Sequence, residues 1–146
     1  MNKPSDLIRN AARLIGSAGR ITVFTGAGIS VESGIPPFRG TGGLWEKYDQ
    51  RVLDIDYFQQ APEKAWPVIK EIFFDFMGSA QPNPAHLLLA EMEDFGLLAT
   101  IITQNIDGLH QKAGNTRVYE FHGTTARFIC TECRVPVPTA NLLLSD

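Results

Sequence analysis

Three short runs in this chain of 146 residues carry side chains suited to chemistry, and a fourth carries thiols. The first is Gly26-Ala27-Gly28, with Ser30 two residues on. Small residues there let backbone N–H groups approach a phosphate, as in the turns that hold a dinucleotide diphosphate. A plain strand-to-helix turn has the same composition, so both readings stand on these residues alone. The second run is Gln104-Asn105-Ile106-Asp107. Its polar side chains suit a ribose or an amide, and they also suit an ordinary turn. The third is His122, whose imidazole class titrates near neutrality and can take a hydroxyl proton, although most histidines are structural. Phe38 and Arg39 end a stiff Ser33-Gly-Ile-Pro-Pro-Phe-Arg39 segment that sets one apolar ring and one cation beside the glycine turn. A core phenylalanine and a surface arginine are the plain alternatives. Cys130 and Cys133 have the Cys-x-x-Cys spacing of a zinc knuckle. They are the only cysteines, so they make half of a tetrahedral site. His86 and His110 fall on expected helices and are assigned no role.

The elements that must position these groups follow from periodicity. Residues 21–25 are β-branched or aromatic and read as a buried strand. Ala99–Thr103 and Arg117–Phe121 read the same way, and each of the three ends in one of the chemical runs. In an open parallel sheet those ends share one edge, where ligands bind, so the expected fold class is α/β. Ser5 is the expected N-cap of a first helix with Leu7, Ile8, Ala11, Leu14 and Ile15 at helical spacing, ended by Gly16 and Gly19. Residues 36–56 read as a long functional loop with short helical turns. A helix is expected from Pro62 to about Met77, with Trp66, Ile69, Phe73 and Phe76 on one face. Asn83-Pro84 should open another that Gly96 closes, and residues 108–112 a short third. From Phe128 a hairpin around the cysteines leads into a Pro-rich tail.

Composition sets the class. Hydrophobic content of 44% with 20% charged residues is ordinary for a soluble domain. A net charge of −3 gives no basic footprint, so no direct nucleic-acid partner is expected. No signal-type or membrane-spanning run is present, so no membrane partner is expected and the expected location is cytoplasmic. In a reducing compartment the cysteine pair points to metal or redox chemistry, and no strand–Cys-x-x-Cys–helix context supports the redox reading.

Taken in order, Gly26-Ala-Gly-Ile-Ser30, Ser33-Gly-Ile-Pro-x-Phe-Arg39, Thr103-Gln-Asn-Ile-Asp107 with Leu109-His110 and Ala113-Gly114, His122-Gly123 and Cys130-x-x-Cys133 resemble the sirtuins, from about residue 5 to 135. The resemblance implies a Rossmann-like parallel sheet with the start of a small zinc-binding module. Its implied boundaries are 1–126 for the N-terminal part of the nucleotide-binding domain and 127–146 for an incomplete zinc-ribbon segment and tail. It implies NAD-dependent removal of acyl groups from protein lysines, with NAD as co-substrate and an acetylated protein lysine as partner. His122 would be the general base and Asn105 its catalytic companion. Gly26, Ala27, Gly28 and Ser30 would hold the diphosphate region, and Phe38 and Arg39 would belong to the cofactor loop. Gln104, Ile106 and Asp107 would line the ribose and nicotinamide end, and Cys130 and Cys133 would be two zinc ligands.

Two departures stand out. Pro37 replaces an aspartate usual in that family, removing a carboxylate and a backbone donor. The family also usually runs about a hundred residues further. A truncated chain would leave the strand at 21–25 as an exposed, aggregation-prone edge, and an inactive NAD- or ADP-ribose-binding fragment is the alternative function. Trp66-Pro-Val-Ile69 stands where relatives acting on acidic acyl groups resemble one another in Tyr-x-x-Arg, so acetyl is the expected acyl group. The sequence fixes no oligomeric state.

Overall fold

Apolar β-branched runs set the sheet. In a computed structural model that describes residues 4–144, strands β1 (Ile21–Thr25), β2 (Leu98–Thr103) and β3 (Val118–Glu120) pair in parallel, in the order β1-β2-β3. The second strand begins one residue before the expected one, and the third is trimmed by a residue at each end. The register sets Thr25 beside Thr103 and Thr103 beside Glu120, so all three strands finish at one level. On the face bearing Thr25, Ile101 and Thr103, helix α5 (Pro84–Asp94) packs over β2. α5 in turn packs on α6 (Leu109–Ala113). The other face carries the row Phe24, Ile102 and Tyr119, of which Phe24 is 62% and Tyr119 67% exposed. Parallel sheets are ordinarily covered on both faces. Among the described strands β1 pairs with β2 alone.

Helix α1 (Pro4–Ser17) keeps the expected period, but none of its residues is buried and Leu7, Ile8, Leu14 and Ile15 stand in solvent. It begins at Pro4, a residue compatible with a first helical turn, so Ser5 sits inside that turn rather than capping it. Gly16 lies within the helix, which runs on to Ser17.

The long segment after β1 is made of short turns, as its Gly, Pro and charge content predicts. A 3₁₀ turn at Ala27–Ser33 stops at Gly34, whose φ of 86° suits glycine. Residues 36–43 fold back on α2 (Leu44–Lys47): the Leu44 N–H donates to the Pro37 carbonyl at 2.8 Å and the Trp45 N–H to the Phe38 carbonyl at 3.1 Å. A Cβ at Gly43 would lie 2.9 Å from the Arg39 and Gly40 backbone, so that corner requires glycine. A 3₁₀ turn (Gln50–Leu53) and α3 (Ile55–Gln60) follow. The helix expected to reach Met77 is α4 (Pro62–Lys70), continuing through a wider π-helical stretch at Glu71–Phe76.

Ile35, Met77, Ala80 and Leu109 form a buried cluster with Phe73 and Ile106 against it. Ile35, Met77, Phe73 and Ile106 of this cluster also line the cavity described below. Strands β4 (Arg127–Ile129) and β5 (Pro136–Pro138) form the expected hairpin. Phe128 stacks on Phe74 at 5.4 Å and meets Trp66 edge-on at 6.2 Å, which pins the hairpin to the α4 region. Among the described residues no helix is long and apolar enough to cross a membrane.

Candidate functional site

The three sheet strands deliver the three chemical runs to one place. Asn105, just past β2, donates through Nδ2 to the Gly26 carbonyl at 3.1 Å and to Ser30 Oγ at 3.0 Å. A carboxamide NH2 has two donors, and both are spent on the glycine turn. Ser30, almost fully buried, donates to Asp107 Oδ2 at 2.7 Å, while Asp107 Oδ1 accepts from the Leu109 N–H at 2.9 Å. Asp107 thereby ties the glycine turn to the start of α6.

His122 follows β3 by two residues, and its Nδ1 lies 3.1 Å from the Gln104 carbonyl. A carbonyl only accepts, so Nδ1 carries the proton and the neutral ring keeps its basic lone pair on Nε2.

A cavity of about 500 Å³ opens between these groups, walled by Ala27, Ser30, Phe38, Gln104, Asn105, Ile106, Asp107 and His122. Gly26 and Gly28 lie outside its wall; Gly26 acts through its carbonyl, and Gly28 sits within the 3₁₀ turn. Arg39 instead lines a neighbouring open pocket with Ala27, Pro37, Phe38, Trp45 and Leu53. Phe38 leans on Trp45 at 5.3 Å and joins the two spaces. The apolar side of the main cavity comes from Ile35, Pro36, Leu53, Ile69, Phe73 and Met77. The sequence offered a signal for part of it, since Ile69 and Phe73 share the apolar face read for the 62–77 helix.

Under the cavity floor lies a buried polar layer made of residues to which no role was assigned. Thr25 Oγ1 donates to Thr103 Oγ1 at 2.9 Å, and His110 Nε2 lies 2.9 Å from the same Thr25 oxygen. Thr103 Oγ1 accepts the Asn105 N–H at 3.0 Å. The His86 ring sits 4.9 Å from the His110 ring, and both residues are almost fully buried. Burial pushes the His110 imidazole down to about 4, helped by repulsion from His86, against a smaller opposing pull from Asp107. Burial also lowers His86, so both rings are neutral near pH 7. The available sequence signal was a histidine embedded in an apolar helix pattern directly after Leu109.

The cysteines occupy the tip of the β4–β5 hairpin, both exposed. The Cys130 N–H donates to the Val135 carbonyl and the Arg134 N–H to the Cys130 carbonyl, each at 3.1 Å, with Arg134 in the left-handed region at φ 61°. Backbone N–H groups of Cys133 and Glu132 lower the Cys130 thiol, which favours thiolate. Among the described residues no group of three or more His, Cys, Asp or Glu could hold a metal. Two thiols do not fit a complete zinc site by themselves.

Residues 26–144 match the Sir2 family model. The chain is 47% identical over 129 residues to the NAD-dependent protein deacylase 2 of Archaeoglobus fulgidus, covering 88% of this chain and 50% of that protein. It is 47% identical over 133 residues to the NAD-dependent protein deacetylase of Bacillus subtilis, covering 89% and 54%. Among solved structures, Sir2 bound to an acetylated peptide superposes with a TM-score of 0.80 at 40% identity, over 91% of this chain and 52% of that one. A mutant Sir2 homologue in complex with ADP-ribose superposes with a TM-score of 0.83 at 38% identity, over 88% and 52%. The chain thus spans about half the length of the curated relatives it matches.

Proposed function

Because the chain belongs to the Sir2 family, we propose that it supplies the diphosphate and nicotinamide side of an NAD-dependent protein lysine deacetylase. The observation that carries this reading is the convergence of His122 with Asn105 and Asp107 on one cavity. In the proposed reaction the acyl carbonyl oxygen of an acetylated lysine attacks the ribose carbon that bears nicotinamide. The bond to nicotinamide breaks and its electron pair leaves with nicotinamide; a ribose hydroxyl then adds to the acyl carbon, the lysine amine leaves, and one water completes the transfer to give free lysine and O-acetyl-ADP-ribose.

The chain's own residues do three things. The Ala27–Ser33 turn, locked by Asn105 and Asp107, offers a rigid seat for the diphosphate. The polar side chains of Asn105 and Asp107 face the cavity and suit the carboxamide end of the dinucleotide. His122, its Nδ1–H spent on Gln104, takes a ribose hydroxyl proton on Nε2. Phe38 forms the edge of the cofactor site with Arg39 in the pocket beside it, and Pro37 stiffens this segment by fixing φ. Cys130 and Cys133 would supply two of the four ligands of a structural zinc, and no step of the chemistry runs through that metal.

The test is nicotinamide release from NAD in the presence of an acetylated peptide. Release that depends on the peptide and is lost in His122→Ala supports the reading. ADP-ribose binding without nicotinamide release would leave a non-catalytic nucleotide-binding role in its place.

A further inference from the structure

Two asparagines clasp the glycine turn from opposite ends. Asn105 holds the Gly26 carbonyl and Ser30 Oγ. Asn83, the N-cap of α5, donates through Nδ2 to the Ile29 carbonyl at 2.7 Å and to Ser33 Oγ at 3.1 Å. Behind the turn, two runs of buried polar groups, one from each asparagine, meet where the His86 and His110 rings lie 4.9 Å apart in ring contact.

Hydrogen-bond arithmetic fixes the protons along it. The Asn83 backbone N–H donates to His86 Nδ1 at 3.4 Å, so a neutral His86 carries its proton on Nε2. With the Thr25 hydroxyl proton directed to Thr103, His110 donates to Thr25 from Nε2, the tautomer that the spectra below test. His110 Nδ1 is then a bare acceptor. Within this layer, the described side-chain atoms without a hydrogen-bond partner are His86 Nε2 and His110 Nδ1, one donor and one acceptor on adjacent rings. An unmet buried donor and acceptor are costly, and here each is the chemical complement of the other.

The geometry points to His86 and His110 as positioning residues for the ligand loops, acting as a neutral, tautomer-locked pair that carries order from Asn83 through Thr25 and Thr103 to Asn105. Neither ring touches the cavity. Their effect reaches it through the Asn105 N–H, held by Thr103 Oγ1, and through the Asn105 side chain that grips Gly26 and Ser30. The expected effect on ligand affinity rests on the proposed nucleotide-binding function; the effect on loop order does not.

The experiment is residue-resolved amide hydrogen exchange with nitrogen-15 spectroscopy of the histidines, on the protein and four variants. His110→Phe and Thr25→Val should each speed exchange at the Asn105 amide about tenfold, the loss of one net hydrogen bond. The Ile101 amide, bonded to the Arg117 carbonyl in the sheet, should stay unchanged. The double variant should show no more than either single one. His110→Gln, which keeps an N–H donor near the Nε2 position, should restore the slow rate. The spectra should show His110 protonated on Nε2 and bare on Nδ1. The opposite tautomer, an unchanged Asn105 amide, or acceleration at Ile101 and Asn105 alike would overturn the inference, the last by reducing the pair to a general support of the fold. ADP-ribose titration separates the two readings. Failure of the unaltered protein to bind removes the proposed function while the exchange result still decides the pair; binding that His110→Phe leaves unchanged removes the pair's role in binding alone.

Discussion

His122 is tied to the backbone of Gln104 by a 3.1 Å hydrogen bond between Nδ1 and the carbonyl, and this single contact assigns the ring's basic nitrogen. His122→Ala removes that base without touching the glycine turn. Peptide-dependent nicotinamide release should fall by about 10²–10⁴-fold, the usual worth of a positioned base. ADP-ribose affinity should stay within about threefold, less than the 1.4 kcal/mol that a tenfold change represents. Steady-state rates and calorimetric titration check the two halves.

Ser30 and Asp107 join loops separated by 77 residues in sequence. Ser30→Ala leaves Asp107 Oδ2 without that partner, and Asp107→Asn replaces a charged acceptor with a neutral amide. Each should weaken ADP-ribose binding by about tenfold or more, because hydrogen bonds to charged groups are worth about 1.5–3 kcal/mol. Equal affinity in both variants would show that the loop is set by other contacts.

Glu93 is a buried carboxylate on α5 that accepts from Asn115 Nδ2, from the Thr116 hydroxyl and N–H and from the Arg117 N–H. Burial favours its neutral form, but these bonds outweigh burial and bring it down to about 2. A carboxyl lowered by folding stabilises above its unfolded value, near 4.5, and that contribution fades as pH falls toward 2. Glu93→Gln should cost about 2–3 kcal/mol at neutral pH and flatten the unfolding curve across that acid window, as read by urea titration at several pH values.

His110 acts in the same direction as Glu93, in a higher pH window. Its folded value near 4 lies below the ordinary 6.5, so the unfolded chain takes up a proton between those values and the native chain does not. Stability should therefore decline from pH 6.5 to 4, by about 3 kcal/mol from this residue. His110→Gln should remove most of that decline, measurable as denaturant midpoints from pH 7 to 4.

Phe128 holds the β4–β5 hairpin to the α4 region through Phe74 and Trp66. Phe128→Ala should release the hairpin while the three-stranded sheet persists, since the two sheets share no strand pairing. Limited proteolysis should then cut first within residues 127–138, and the circular dichroism of the helices should hold.

The sheet and the ligand loops were legible because their signals are local. Ile21–Thr25 and Ala99–Thr103 are dense β-branched runs, and the polar residues directly after them can only fall at the strand ends. Helix starts were legible where a side chain makes the cap, as at Asn83, and not at Pro4, where Ser5 has a capping side chain but lies within the helix. His86 and His110 were hidden for a different reason. Each sits inside an apolar helix pattern, and only the meeting of α5 and α6 turns two separate histidines into a pair. The placement of Arg39 in a neighbouring pocket depends on the fold-back of residues 36–43 onto α2, which spacing does not encode. The exposed face of α1 kept its helical period while losing the burial that period usually signals.

The strand order β1-β2-β3 is also the order of translation. Among the described strands, each later one pairs beside the one before it, so the sheet extends in one direction along the chain. The glycine turn, the Asn105–Asp107 loop and His122 all lie within the first 122 positions, and their mutual hydrogen bonds need nothing further along the chain. Every group that joins the three chemical runs in the cavity wall is therefore present once residue 122 has been made.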